Sequence, residues 1–140
     1  MGGLWVLPRA ESRAIFSDNR GIVVEPLDAI ELAVQRNAHL VVTEPYNIRG
    51  NHYHDAGTET ALVIGPALVR LRRGDLSTDH AVPAGAAHRF VIPPGVSHAF
   101  GAVGPERMLM MVFNTEARNP VSPDTKPHSI LEPQELRTGQ

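Results

Sequence analysis

The sequence contains no cysteine, so no disulfide can hold the fold together, and this absence fits a reducing compartment. It also lacks any apolar run that approaches the roughly 20 residues a membrane-spanning helix requires. Residues 1–5 have neither the charged region nor the long apolar region of a signal peptide. We therefore expect a soluble cytoplasmic protein with no membrane partner.

An excess of positive charge is absent as well. The chain of 140 residues contains 13 Lys and Arg against 15 Asp and Glu, without a basic run or basic residues interleaved with aromatic ones. A nucleic-acid-binding protein needs such a basic surface. The sequence therefore predicts a small-molecule partner and argues against a nucleic acid.

Internal repeats, long helical patterns and interdomain linkers are also missing. The chain consists of short apolar segments separated by many of its 12 glycines and 12 prolines, a pattern typical of a β-sandwich or β-barrel. We predict a single all-β domain over residues 1–140. Its core spans about 38–115, N-terminal strands lie within 4–36, and residues 119–140 form a proline-rich tail.

The N-terminal region contains one ambiguous segment. Short apolar runs predict strands at residues 4–7, 14–16 and 22–24. In residues 27–36, Asp28 could cap a short helix, whereas Ile30, Leu32 and Val34 alternate as they would in a strand. We favour the strand for this segment.

Residues 108–113 are apolar at every position. Such a strand is expected to be covered on both faces, on one by the core and on the other by a second subunit or by the N-terminal segment. This surplus of apolar surface predicts a homodimer. In the tail, by contrast, prolines are too frequent to continue a sheet, and we expect a wrapping or partly loose segment.

The strongest functional signal is a set of metal-type side chains. His52 and His54 are two residues apart, so both imidazoles point to one face of a strand. A turn follows, and Glu59 then opens an apolar run that resembles the returning strand. His98 comes shortly after the turn at Pro93-Pro94-Gly95. Two or three imidazoles with one carboxylate suit a divalent ion such as Zn, Fe, Ni, Mn or Cu.

These residues resemble the two motifs of the cupin superfamily. The first motif corresponds to HxH at 52–54 with Glu59 and Gly65, and the second to PxGxxH at 93–98. The resemblance implies a single-domain cupin jelly-roll β-barrel in which His52, His54, Glu59 and His98 converge on one metal ion. The alternative is a cupin that keeps the barrel and uses these side chains as acid–base or substrate-binding groups.

A finer resemblance is to the cupins of sugar biosynthesis, namely deoxysugar-nucleotide epimerases and the cupin domain of capsular polysaccharide enzymes. It rests on DNRG at 18–21, RGNHYH at 49–54 and IPPGVSHAF at 92–100. It implies epimerisation or isomerisation beside the ketone of a nucleotide-linked sugar. His52 and His98 are the implied catalytic residues, either as ligands of a metal that polarises the ketone or, for His52, as the base of a metal-free enzyme.

Three further residues are candidates for substrate binding. Arg49 could hold a phosphate or a carboxylate through two hydrogen bonds, or it could form a surface salt bridge. Tyr46 and Phe100 are the other two candidates, at the expected mouth and in the second motif. The remaining histidines, including His39 and His80, are interpreted as surface or strand-end residues.

Two other classes of function remain open. A metal-dependent dioxygenase would use the same four ligands with iron, copper or nickel. A non-enzymatic barrel that senses or stores a small molecule would bind its ligand without turnover. A fold alone does not decide among these possibilities, because one fold serves many reactions.

Overall fold

The computed structural model describes residues 7–137, and strands dominate this part of the chain. The strands are β1 Arg9–Ser12, β2 Phe16–Asp18, β3 Gly21–Val23, β4 Asn37–Thr43, β5 Ile48–His54, β6 Glu59–Ile64, β7 Ala67–Arg73, β8 Leu76–Val82, β9 Ala87–Ile92, β10 Ser97–Ala102, β11 Met108–Asn114 and β12 Thr125–Pro127. The helical elements are α1, Ala29–Ala33, and a 3₁₀ helix at Pro133–Leu136. The predicted all-β class is confirmed.

Two antiparallel five-stranded sheets face each other. The first sheet has the strand order β1-β9-β6-β11-β4, and the second sheet has the order β12-β5-β10-β7-β8, while β2 and β3 form a separate hairpin. Alternate residues of both sheets meet in the main core, where Phe90 and Met110 of the first sheet pack with Val69 and Phe100 of the second. Among residues 7–137 the two sheets form a sandwich, and no strand pairing joins them into a closed barrel.

The N-terminal region differs from its predicted strands. Residues 4–6 lie outside the described part of the chain, and the first described strand begins at Arg9. The strand favoured at 27–36 is wrong, because α1 forms there. Asp28 accepts a hydrogen bond from the Glu31 backbone at 2.9 Å, and the Glu31 carboxylate accepts one from the Asp28 backbone at 2.9 Å. This reciprocal cap stabilises a helix start more than alternation alone favours a strand.

The tail wraps over the outer face of the second sheet. β12 pairs with β5, so the expectation that prolines keep the tail out of the sheet is wrong for this segment. Pro127 is tolerated because β12 is an edge strand, where one missing amide donor costs little. Beyond it, Leu131 and Leu136 are buried against Ala99 of β10. Every residue of β10 is therefore buried.

The outer face of the first sheet is not covered in the same way. In β11, Met108, Met110 and Val112 face the core, whereas Leu109 is 41% exposed. Its neighbour on β4 is Val42, which is 44% exposed. The described N-terminal residues thus do not bury this face. No helix within residues 7–137 is long and apolar enough to cross a membrane.

Candidate functional site

Strands from both sheets bring the four predicted metal-type residues together. β5 contributes His52 and His54, β10 contributes His98 opposite His52, and Glu59 is the first residue of β6 in the facing sheet. One ligand atom from each residue can be chosen so that all four atoms lie within 4.8 Å of one another. The side chains of His54, Glu59 and His98 are buried, and that of His52 is half-buried.

A β-bulge in β5 decides which residues join this group. Gly50 and Asn51 together oppose Ala99, and both have a positive φ, 92° and 55°. Without the extra residue, Arg49 would point to the face opposite His52, because the two are three positions apart. With it, Arg49 lies opposite the inward-facing Phe100. Glycine suits this position, since a Cβ on Gly50 would lie 2.6 Å from the His98 carbonyl oxygen.

The outer nitrogens of two histidines are held by the surrounding chain. His98 Nδ1 lies 3.1 Å from the Val96 carbonyl oxygen, which accepts its hydrogen bond. His54 Nδ1 lies 3.3 Å from Thr125 Oγ1 and 3.8 Å from an Asp124 carboxylate oxygen, both in the tail. These contacts fix the ring orientations and direct each Nε2 toward Glu59.

Glu59 stands between these two rings. Its carboxylate oxygens lie 3.1 Å from His54 Nε2 and 3.2 Å from His98 Nε2. The His98 contact is close enough for an ion pair, but the buried His98 Nε2 makes no well-aligned hydrogen bond. A buried polar nitrogen of this kind is uncommon unless a further partner completes the site.

The cluster shifts the titration of its members. Burial, with repulsion from His98 and His54 charges, lowers the pKa of His52 to about 4, against a smaller opposing effect of Glu59. Burial alone would raise the pKa of Glu59, but the neighbouring His98 and His54 hold it well below its usual value. Burial alone would lower the pKa of His98, yet Glu59 keeps it raised. The site therefore favours a carboxylate beside a positive partner.

A pocket of about 380 Å³ opens beside the cluster, and we call it the histidine pocket. It is lined by His39, Leu40, Val41, Val42, Arg49, Gly50, His52, Glu59, Phe100, Met110 and Val112. A larger pocket of about 640 Å³ lies between β1 and the β7–β8 hairpin, and none of the four clustered residues lines it. A third pocket of about 340 Å³ reaches the cluster only at His54, whereas the histidine pocket reaches both His52 and Glu59.

The predicted substrate-binding residues divide between two places. Arg49 and Phe100 line the histidine pocket. Tyr46 does not, because it packs with Ile48 and the tail, and the guanidinium of Arg137 lies 4.2 Å from its ring centre. A role for Tyr46 in binding substrate stays a prediction that its position does not support.

The sequence interpretation missed residues that the structure places at the site. His39, interpreted as a surface residue, lines the histidine pocket from β4. Alternation along β4 places His39 on one face with Val41 and Thr43, but the pocket also touches Leu40 and Val42, so alternation alone could not identify His39 as a pocket residue. Asp124 and Thr125 gave no comparable signal, since their approach to His54 depends on the path of the tail.

The comparisons with known proteins agree with this architecture. A family model described as the polysaccharide biosynthesis C-terminal domain matches residues 16–126. No curated protein matches the sequence. The capsular polysaccharide assembling protein CapF from Staphylococcus aureus has a similar structure, with a TM-score of 0.64 and 23% identity over 84% of this chain and 33% of CapF. This chain thus spans about a third of the length of that protein.

Two similar structures are nearer to this chain in length. QdtA, a sugar 3,4-ketoisomerase from Thermoanaerobacterium thermosaccharolyticum solved with TDP, has a TM-score of 0.68 and 13% identity, over 94% of this chain and 96% of QdtA. NovW, a 4-keto-6-deoxy sugar epimerase from Streptomyces spheroides, has a TM-score of 0.65 and 14% identity, over 81% of this chain and 66% of NovW. At these identities the likeness shows the cupin jelly-roll fold, as predicted. Because the family model matches most of the sequence, the chain belongs to the polysaccharide biosynthesis C-terminal domain family.

Proposed function

We propose that this protein is a metal-binding cupin that isomerises or epimerises a keto-sugar carried on a nucleotide. The observation that supports it most is the convergence of His52, His54, Glu59 and His98 within 4.8 Å, directly beside a pocket lined by Arg49. Membership of a polysaccharide biosynthesis family supports a sugar substrate. The similar proteins QdtA and NovW are described as a keto-sugar isomerase and epimerase, which supports the reaction class.

The donor set fits a divalent metal ion. Three imidazoles and one carboxylate suit Zn, Fe, Ni, Mn or Cu, and their spacing allows one ion to be shared. The Nδ1 contacts of His54 and His98 leave each Nε2 available as a ligand atom. The buried Nε2 of His98, which makes no well-aligned hydrogen bond, is a nitrogen that an ion would satisfy. Once bound, the ion would act as a Lewis acid toward a carbonyl oxygen.

The other pocket residues bind and orient the substrate in this proposal. Arg49 offers a planar fork of donors that matches the oxygens of a diphosphate. Phe100, Met110 and Val112 provide an apolar wall against which the sugar ring can pack.

We also propose that the protein is a homodimer. Leu40, Val42 and Leu109 lie side by side on the outer face of the first sheet and are 60%, 44% and 41% exposed. A contiguous apolar area of this kind is uncommon on a monomer and is typical of an interface. We propose a second copy of the chain as the partner, because two-fold symmetric homodimers are the commonest oligomers of soluble proteins.

The proposal is tested first by metal content. Protein purified without added metal should contain about one divalent ion per chain by elemental analysis, and His98→Ala should lower this content sharply. The control is His80→Gln on β8, a histidine that does not line the histidine pocket. Equal metal content in wild type and His98→Ala would contradict the metal site.

The reaction is tested by solvent exchange. A keto-sugar isomerase or epimerase labilises a proton next to the ketone, so deuterium should enter TDP-4-keto-6-deoxyglucose in heavy water. A panel of other nucleotide keto-sugars extends the test to related substrates. If none exchanges, and the metal-loaded protein consumes oxygen with another small molecule, the protein is a dioxygenase instead.

A further inference from the structure

We infer that His39 is the catalytic base that removes the proton beside the ketone and returns it to the product. The inference rests on the proposed function, because it assigns a role within that reaction. It goes beyond the two sequence motifs, since His39 lies outside both, on the edge strand of the facing sheet.

The position of His39 places it across the histidine pocket from β5. In the register of the first sheet His39 pairs with Val112, whose side chain belongs to the main core, so His39 lies on the same inward face. The pocket brings it together with His52 and Arg49. His39 is exposed, because this end of β4 borders the open mouth of the pocket. It is therefore accessible to a substrate that enters there.

Elimination among the pocket residues leaves His39 for proton transfer. Among the described residues that line the histidine pocket, the ionisable side chains are those of His39, Arg49, His52 and Glu59. In the proposed function the ion would occupy the ligand atoms of His52 and Glu59, so neither of these residues is left as the free base. Arginine stays protonated in proteins. Histidine is the side chain best suited to exchange a proton near neutral pH.

The proposed step balances without an external reagent. The C–H bond beside the ketone breaks, an N–H bond forms on the His39 imidazole, and the released electron pair forms a carbon–carbon double bond while the carbonyl oxygen gains negative charge. If the hydroxyl proton of the neighbouring carbon moves between the two oxygens, return of the carbon proton to the former carbonyl carbon exchanges ketone and hydroxyl. If the His39 imidazole first exchanges this proton with heavy water, return to the original carbon instead regenerates the substrate with a deuterium label.

The experiment measures deuterium incorporation into TDP-4-keto-6-deoxyglucose by wild type, His39→Ala and the control His80→Gln. Metal content and binding of the same probe, measured by calorimetry, accompany each variant. We expect His39→Ala to lose about 10²- to 10⁴-fold in exchange rate, the usual contribution of a general base. Metal content and probe affinity should stay unchanged. Added imidazole should restore part of the exchange in His39→Ala, and His80→Gln should match wild type.

The outcomes separate the two levels of the proposal. If wild type exchanges and His39→Ala does so at the same rate, His39 is not the base, while the proposed function stands. If His39→Ala loses metal or probe binding in proportion to exchange, its role is structural and the inference is overturned. If wild type exchanges no proton of the probe, the proposed function fails for this substrate and the inference falls with it.

Discussion

The two sheets differ in what covers their outer faces. In the second sheet, which contains the three clustered histidines, the chain's own tail covers the region around β10, and β10 is buried along its whole length. The first sheet contributes Glu59 and leaves Leu40 and Leu109 exposed on its outer face. The chain thus covers by itself the part of the second sheet that supports the histidines, and it leaves the outer face of the first sheet open.

The covered face and the open face meet different needs: one supports the histidines, and the other offers a surface for association. The histidines need a rigid support, because a metal site tolerates little displacement of its ligands. The tail provides that support from within the same polypeptide, through Thr125 near His54 and Leu131 beneath Ala99. The first sheet contributes only Glu59 to the cluster. Its exposed outer face is therefore available for contact with a second copy of the chain.

The largest effect is expected from uncovering the second sheet. Leu131 is 1% exposed, and Leu131→Ala should lower the free energy of unfolding by about 2–5 kcal/mol, since it removes packing and leaves a cavity. Denaturant unfolding measures the change. Val121→Ala is the matched control, because Val121 is 93% exposed in the same tail and should change stability by less than about 0.5 kcal/mol. Equal effects for the two variants would show that the tail does not support the sheet.

A charge on the open face of the first sheet tests its role in association. Leu109→Lys should convert a dimer to a monomer in sedimentation experiments at micromolar concentration, because a lysine would be buried in an apolar interface. Its effect on the stability of the monomer should be within about 1 kcal/mol, since the site is partly exposed in the isolated chain. A wild type that sediments as a monomer would contradict the dimer directly.

The link between the tail and the histidines is tested at Thr125. Thr125→Val removes the hydroxyl near His54 Nδ1 while it keeps the shape of the side chain. We expect about a 10- to 100-fold loss of metal affinity, the usual cost of losing a partner of a ligand histidine. Competition with a chelator measures the affinity, and Thr125→Ser should retain it. A loss in the serine variant as large as in the valine variant would rule out the hydroxyl as the cause.

The smallest effect concerns pH. In metal-free protein His52 has a folded-state pKa of about 4, below its unfolded value of about 6.5, so the unfolded chain binds the proton more readily. Its contribution to stability is therefore complete above about pH 6.5 and is lost as the pH falls toward 4. His52→Gln should flatten this part of the profile, measured by denaturant unfolding of chelator-treated protein. An unchanged slope in the variant would assign the pH dependence to other groups.

The sequence predicted the chemistry of the site better than its surroundings. Spacing alone predicted that His52 and His54 share one face, whereas the approach of Glu59 and His98 to them was expected only from the resemblance to the two cupin motifs. Alternation failed at α1, where a local cap of Asp28 and Glu31 decided the conformation. It also could not place the tail, because those contacts join residues that are far apart in sequence.

The bulge in β5 makes the direction of the side chains before Asn51 depend on the tail. Asn51 is the extra residue, and its side chain binds the backbone of Ile130 and Leu131 at 2.9–3.1 Å. A straight strand with His52 in place would turn Gly50 inward and Arg49 outward. The side-chain amide of Asn51 therefore links the bulge to the tail. Releasing the tail would favour a pocket without the Arg49 guanidinium, while the three clustered histidines keep their positions.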